Sequence, residues 1–204
     1  MKYTFPKEFH PNLFKHKKIG LLGGSFNPGH QGHLELALKA RQFFDFDEIW
    51  WVINPQNPLK PAHITRPFEE RFEYCKSLTK PYPFIKPCPI EQFNQTNMTY
   101  QLVEFLKIYY PTTHFVWLMG SDLVCNIHKW EHYETLVKHF SLIIYYRQTH
   151  FYKIKQSHLL NQLKDNYLPL EKSKNKLFQP SPKWTVFPYF HNLISSTEIR
   201  KNML

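Results

Sequence analysis

The chain has 204 residues, 42% hydrophobic and 17% aromatic, and 26 Lys and Arg against 16 Asp and Glu give a formal net charge of +10. This length and apolar content support one globular domain with a substantial core, and the positive balance favours a polyanionic partner without choosing between nucleotide, nucleic acid and acidic membrane. Three cysteines without CxxC spacing, Cys75, Cys88 and Cys125, argue against a disulfide scaffold and for a reduced, cytoplasmic setting, and no apolar run approaches the roughly 20 residues that span a bilayer.

The amino terminus, MKYTFPKEFHPNLFKHKK, lacks the apolar core of a signal peptide. Residues 1–17 read as a basic extension ahead of a single domain over 18–204. Ile19 to Leu22 is a predicted buried strand. It breaks at Gly23 and Gly24, which permit a tight turn that residues bearing Cβ resist. After Pro28 and Gly29 the spacing of Leu34, Leu36, Ala37 and Leu38 predicts a helix from His30 or Gln31. Strand, glycine turn and helix start together form a phosphate site, because unpaired backbone N–H groups converge there and the helix dipole adds partial positive charge. His30 and His33 stand three apart on one face of the first turn, where both imidazoles can donate to phosphate oxygens. The motif contains no Cys or carboxylate to complete a tetrahedral metal set with them.

The string GGSFNPGHQGHL resembles the GxFxPxHxGH signature of the nucleotidylyltransferases, specifically the bacterial nicotinate-nucleotide adenylyltransferases. That resemblance implies a Rossmann-like α/β fold and adenylyl transfer from ATP to nicotinate mononucleotide, giving deamido-NAD and pyrophosphate. It implies that Gly23, Gly24, Ser25, Phe26, Asn27, His30 and His33 meet ATP.

Beyond the motif, strand-like runs alternate with helical ones, as a doubly wound, mainly parallel sheet with helices on both faces requires. Glu48 to Ile53 is a strand ending at Asn54, where the loop NPQNPLKPAH begins. Ligands of open α/β sheets bind outside the carboxyl ends of strands, so this loop shares a rim with residues 23–33. Lys60 is either a solvated loop lysine or a phosphate ligand; the loop resembles the family's NPxxPxK segment, which implies that Asn54 and Lys60 face the acceptor. Arg66 to Lys80 is a predicted helix, with Pro67 in its first turn and Phe68, Phe72 and Cys75 inward. A short strand at Phe84 and Ile85 and a helix from Thr99 to Tyr109 follow. Thr99 is either a cap or, by the similarity of TYQLV to the family's TxxTL, an acceptor contact; Leu102 stands where the second threonine usually sits.

His114 to Met119 is the predicted central strand, followed at once by Gly120, Ser121 and Asp122. Asp122 either caps the next helix or accepts hydrogen bonds from ribose hydroxyls. MGSDLVCNIHKWEHYETL resembles the family's GxD segment, which implies that Gly120 and Asp122 meet the ATP ribose and that Trp130 stacks on the pyridine ring. Ser141 to Tyr146 is a further strand, ending at Arg147, a candidate adenine or phosphate neighbour. The lysine-rich tract from Tyr152 to Lys183 predicts one short helix near His158 to Leu163 and then loop, and Trp184 to Phe187 the last strand. In ISSTEIR, Ser195 and Glu198 form a capping-box pattern, so a helix start with the Ser196 and Thr197 hydroxyls and Arg200 makes a second anion site. This string is similar to the family's ISSTxIR motif, which implies triphosphate contacts for Ser195, Ser196, Thr197 and Arg200.

Under that reading a phosphate monoester, already an anion near neutral pH, attacks the α-phosphorus without a general base. His30, His33 and Arg200 are then the catalytic set, and Mg2+, held mainly by ATP phosphates and water, completes the charge screening. The alternatives are the same transfer to nicotinamide mononucleotide or another phosphate acceptor, a non-catalytic family member, and a basic nucleic-acid-binding α/β protein. The expected partners are ATP and nicotinate mononucleotide, with no specific nucleic acid and no membrane, as a monomer or a homo-oligomer.

Overall fold

The alternation of apolar runs and amphipathic segments resolves, in the computed structural model, into one parallel sheet with helices on both faces. Residues 5–56, 65–96, 98–146 and 157–188 are described. Among them six strands, β1 (Lys18–Gly24), β2 (Glu48–Ile53), β3 (Ile85–Cys88), β4 (His114–Gly120), β5 (Ser141–Tyr146) and β6 (Trp184–Pro188), run in the order β3-β2-β1-β4-β5-β6. Every pairing is parallel. This is the Rossmann-like, doubly wound arrangement, and its order reverses between β1 and β4. Gly24 lies beside Ile53 and Leu22 beside Leu118, so β1, β2 and β4 deliver their carboxyl ends to one rim.

Side chains alternate across the pleat and feed two cores. Along β4, Phe115, Trp117 and Met119 enter one, and Val116 and Leu118 the other. The first core is covered by α4 (Thr99–Tyr109) and α6 (Tyr133–His139), through residues such as Val103, Leu106 and Leu136. The second is covered by α1 (Gln31–Phe44) and α2 (Phe68–Thr79), through Leu34, Ala37, Phe44 and Cys75. Two four-residue helices, α3 (Ile90–Phe93) and α5 (Ser121–Val124), follow β3 and β4. After β5 come α7 (His158–Gln162) and α8 (Leu170–Lys176). No helix among the described residues is long and apolar enough to cross a membrane.

Four local expectations change. Gly23 and Gly24 do not turn: both lie within β1, and no described glycine has positive φ. Gly23 is needed for packing instead, since a Cβ there would stand 2.6 Å from the Trp117 ring. The left-handed residue of the following loop is Phe26, at φ 44°. Pro67 precedes α2 as its N-cap residue and does not sit in its first turn. The strand expected at Phe84 and Ile85 runs to Cys88 and includes Pro87, which is tolerated because β3 is the sheet's edge. The loop expected after residue 163 contains α8, anchored by buried Leu177 and by the Lys174–Asp45 ion pair at 2.8 Å to the end of α1.

Residues 5–17 are an ordered part of the structure. Two 3-10 turns, Lys7–Phe9 and Pro11–Phe14, insert Phe9 (1% exposed) and Phe14 (3%) into the first core. Both rings meet Trp50 edge-on, at 5.0 and 4.8 Å, and the Tyr110 hydroxyl donates to the Phe9 carbonyl. Burying two phenyl rings is worth roughly 3–6 kcal/mol, an upper bound because unfolded chains already bury some apolar surface.

Candidate active site

The rim above β1 begins with Ser25 and Phe26. The Phe26 ring lies flat against the Trp51 indole of β2, at 5.0 Å and 17°. His33 packs on Phe26 at 4.8 Å and meets Trp51 edge-on at 5.9 Å. His30 is the extended N-cap residue of α1, 7% exposed, with its ring centroid 3.8 Å from that of His33. The two imidazoles expected on one face are therefore side by side at a helix N-terminus, where anions are favoured. The His30 backbone N–H donates to His33 Nδ1 at 3.2 Å. In neutral His33 the proton then resides on Nε2, leaving that nitrogen as a donor.

The other side of the rim starts at Asn54, whose backbone N–H donates to the Gly24 carbonyl at 3.0 Å. The Asn27 side-chain oxygen accepts from the Arg66 backbone N–H at 3.4 Å. At the end of β4, the Asp122 carboxylate folds back over Gly120, so a Cβ at Gly120 would collide with its Oδ1. Gly120 is the N-cap residue of α5 and Asp122 lies in its first turn, exposed to solvent. Asp122 is thus not the cap, and its carboxylate is presented at a strand end. Thr99 is likewise the first residue of α4, behind Met98 as N-cap residue. Trp130 is half-buried against the first core. Tyr100 and His132 meet edge-on at 4.8 Å, which brings the Thr99 and Trp130 segments together.

Lys60, Arg147, Ser195, Ser196, Thr197 and Arg200 lie outside the described residues. Among the described ones, no three His, Cys, Asp or Glu side chains are grouped so as to hold a metal ion.

Two buried polar side chains at this rim escaped the sequence reading. Arg71 of α2 is 2% exposed, and its guanidinium donates to backbone carbonyls of Arg66, Ser25, Asn54 and Pro55. Burial lowers its pKa from the ordinary value. Its signal was present, since position 71 falls on the same inward stripe as Phe68, Phe72 and Cys75. Glu91 of α3 is 3% exposed, and desolvation raises its carboxyl to about 8 against the opposing pull of a hydrogen bond with the Asn54 side chain. A four-residue helix has no periodicity that would have exposed it. The neighbouring Cys75 thiol is pushed up to about 12 by burial, which leaves it protonated and unreactive.

A paired-imidazole helix start at the reversal point of a parallel doubly wound sheet defines a nucleotide-binding α/β protein of the nucleotidyltransferase type. The pattern of the cytidylyltransferase-like family matches residues 21–202, and the chain belongs to that family. Within it the chain groups with the nicotinate-nucleotide adenylyltransferases. It is 32% identical over 186 residues to the probable nicotinate-nucleotide adenylyltransferase of Ruegeria sp. strain TM1040, covering 90% of this chain and 96% of that one. The corresponding Rhizobium etli protein is 29% identical over 186 residues, with 91% and 96% covered. Among solved structures, the Plasmodium falciparum nicotinic acid mononucleotide adenylyltransferase complexed with NaAD superposes with a TM-score of 0.68 at 26% identity, covering 91% of this chain and 83% of that one. The same protein complexed with APC gives 0.66 at 25% identity, with the same coverage.

Proposed function

We propose that this protein transfers the adenylyl group of ATP to nicotinate mononucleotide, releasing pyrophosphate and forming deamido-NAD in NAD biosynthesis. The observation that carries the reading is the His30–His33 pair at the start of α1, beside the carboxyl ends of β1, β2 and β4. The acceptor's phosphate oxygen bonds to the α-phosphorus as the bond to the bridging oxygen breaks, and that oxygen leaves with pyrophosphate. The nucleophile is already an anion, so alignment and charge neutralisation supply the catalysis. His33 Nε2 and His30 donate to the α and β phosphates. Ser195, Ser196, Thr197 and Arg200 take the β and γ phosphates. Gly120 and Asp122 hold the ATP ribose, and Arg147 neighbours the adenine or a phosphate. Asn54, Lys60, Thr99 and Trp130 receive the mononucleotide, with the indole against the pyridine ring. Mg2+ arrives as part of the MgATP substrate, held mainly by phosphate oxygens and water.

Pyrophosphate release measured with ATP and, side by side, nicotinate mononucleotide, nicotinamide mononucleotide and phosphopantetheine tests the reading. The fastest turnover is expected with nicotinate mononucleotide. A faster rate with another acceptor overturns the substrate, and no release with any of the three overturns the reaction.

A further inference from the structure

Arg71 is 2% exposed, yet it is the residue on which two loops of the rim meet. Nη1 donates to the Ser25 carbonyl at 2.6 Å and to the Asn54 carbonyl at 2.9 Å. Nη2 donates to the Pro55 carbonyl at 2.7 Å, and Nε to the Arg66 carbonyl at 2.8 Å. Ser25 belongs to the loop that carries Phe26 and leads into the His30 cap of α1, and Asn54 and Pro55 open the loop that follows β2. A single amino group thus bridges the loop assigned to the triphosphate and the loop assigned to the acceptor.

Among the described residues these hydrogen bonds go to neutral carbonyls and not to a carboxylate. Burying a cation is costly even with the Glu69 charge and the Phe68 ring nearby, and an aliphatic side chain would fill the same space without desolvating a charge. What an aliphatic chain cannot do is fix the separation of two loops. The planar guanidinium can, because its donors leave in set directions, and a lysine has only one nitrogen with which to reach four acceptors. Asn54 is held from its other side as well, through the hydrogen bond between its side chain and Glu91.

We infer that Arg71 is a positioning residue for the transfer, setting the distance between the two bound substrates by clamping Ser25 to Asn54 and Pro55. The inference rests on the two-substrate reading above. An in-line displacement requires the attacking and accepting atoms about 3–3.5 Å apart, and a misplacement of about 1 Å costs on the order of a hundredfold in rate.

Arg71→Lys and Arg71→Ala, made in the full chain, test it with two readouts. In steady-state pyrophosphate release with ATP and nicotinate mononucleotide, kcat of Arg71→Lys is expected to fall at least about tenfold. Guanidinium ion is expected to restore part of the Arg71→Ala turnover, and ammonium at equal ionic strength is not. Hydrogen exchange, which needs no substrate, should quicken together over residues 24–30 and 53–56 in both variants, while strands β4 and β5 keep their wild-type protection. A kcat for Arg71→Lys within twofold of wild type overturns the inference. So does exchange that rises across the whole domain without guanidinium rescue, the mark of a purely structural residue. If the wild-type protein turns over none of the acceptors, the reaction fails, and the exchange pattern still decides whether Arg71 clamps the two loops.

Discussion

Replacing Glu91 by Gln should make the protein more stable than wild type in mildly alkaline solution while leaving the two alike in acid. The carboxyl titrates near 4.5 when unfolded and near 8 in the folded state, because burial in the short helix after β3 disfavours its charge. Between those values the folded chain retains a proton that the unfolded chain has released. Stability from this group is therefore fully present below about pH 4.5 and is lost as the pH rises through about 8. The slope is about 1.4 kcal/mol per pH unit, so the loss between about pH 5 and pH 9 is on the order of 4 kcal/mol. That is a large share of the roughly 5–15 kcal/mol that holds a domain folded. Gln has nearly the same shape and carries no proton to lose, so it removes the pH dependence without opening a cavity. Urea unfolding followed by tryptophan fluorescence, at half-unit steps of pH, gives the difference between the two proteins directly. The shared titration of all other groups cancels in that difference. Curves that stay parallel from pH 5 to pH 9 would refute the assignment of a neutral, buried Glu91, and with it the claim that Asn54 is held by an uncharged partner.

Three further outcomes follow from the same geometry. His33→Ala should lower turnover by about a hundredfold, the usual loss for one donor to developing charge, and cost about 1 kcal/mol of stability with the hydrogen bond from the His30 N–H; turnover at the wild-type rate with ATP and nicotinate mononucleotide would falsify its role. Trp130→Ala should raise KM for the mononucleotide about tenfold, as the loss of one aromatic stack predicts, with KM for ATP unchanged; an equal rise for both substrates would move the indole away from the pyridine ring. Phe9→Ala should destabilise the whole domain by roughly 3–5 kcal/mol in one cooperative urea transition, since the ring is buried against Trp50; a loss under 1 kcal/mol would make residues 5–17 an appendage.

The strands were legible because each buried run is short, apolar and bounded by polar or glycine residues. Glu48–Ile53 and Ser141–Tyr146 have the predicted bounds, and Thr99–Tyr109 is the predicted helix. The His30 and His33 pairing was legible because three-residue spacing in a first helical turn leaves only one relative placement. Other features depend on contacts distant in sequence. Gly23 was assigned to a turn because conformational freedom is the only property of glycine visible in a string. The closeness of Trp117, more than ninety residues on, is what excludes a side chain there. The helix over Leu170–Lys176 carries Lys172, Lys174 and Lys176 and shows no wide apolar stripe, so nothing local distinguishes it from a solvated loop. The segment before Lys18 looked like a basic tail because Phe9 and Phe14 are flanked by lysines. Only the hollow beside Trp50 reveals that those rings are core.

The distribution of broken rules is itself informative about where chemistry happens. Across most of the sheet the sequence obeys simple patterning, with apolar residues alternating between two cores and charges outside. Two buried ionisable side chains beneath the rim, Arg71 and Glu91, converge on one residue without forming an ion pair with each other. Arg71 takes the backbone carbonyl of Asn54, and Glu91 meets its side chain. If stability alone had shaped this spot, an apolar pair would have cost less. Dividing them over one asparagine holds both its backbone and its amide in place at the point where β2 ends and the next loop begins. That is an arrangement in which desolvation is tolerated for the sake of geometry, and it lies beside the proposed site, where an in-line transfer between two phosphates most depends on geometry.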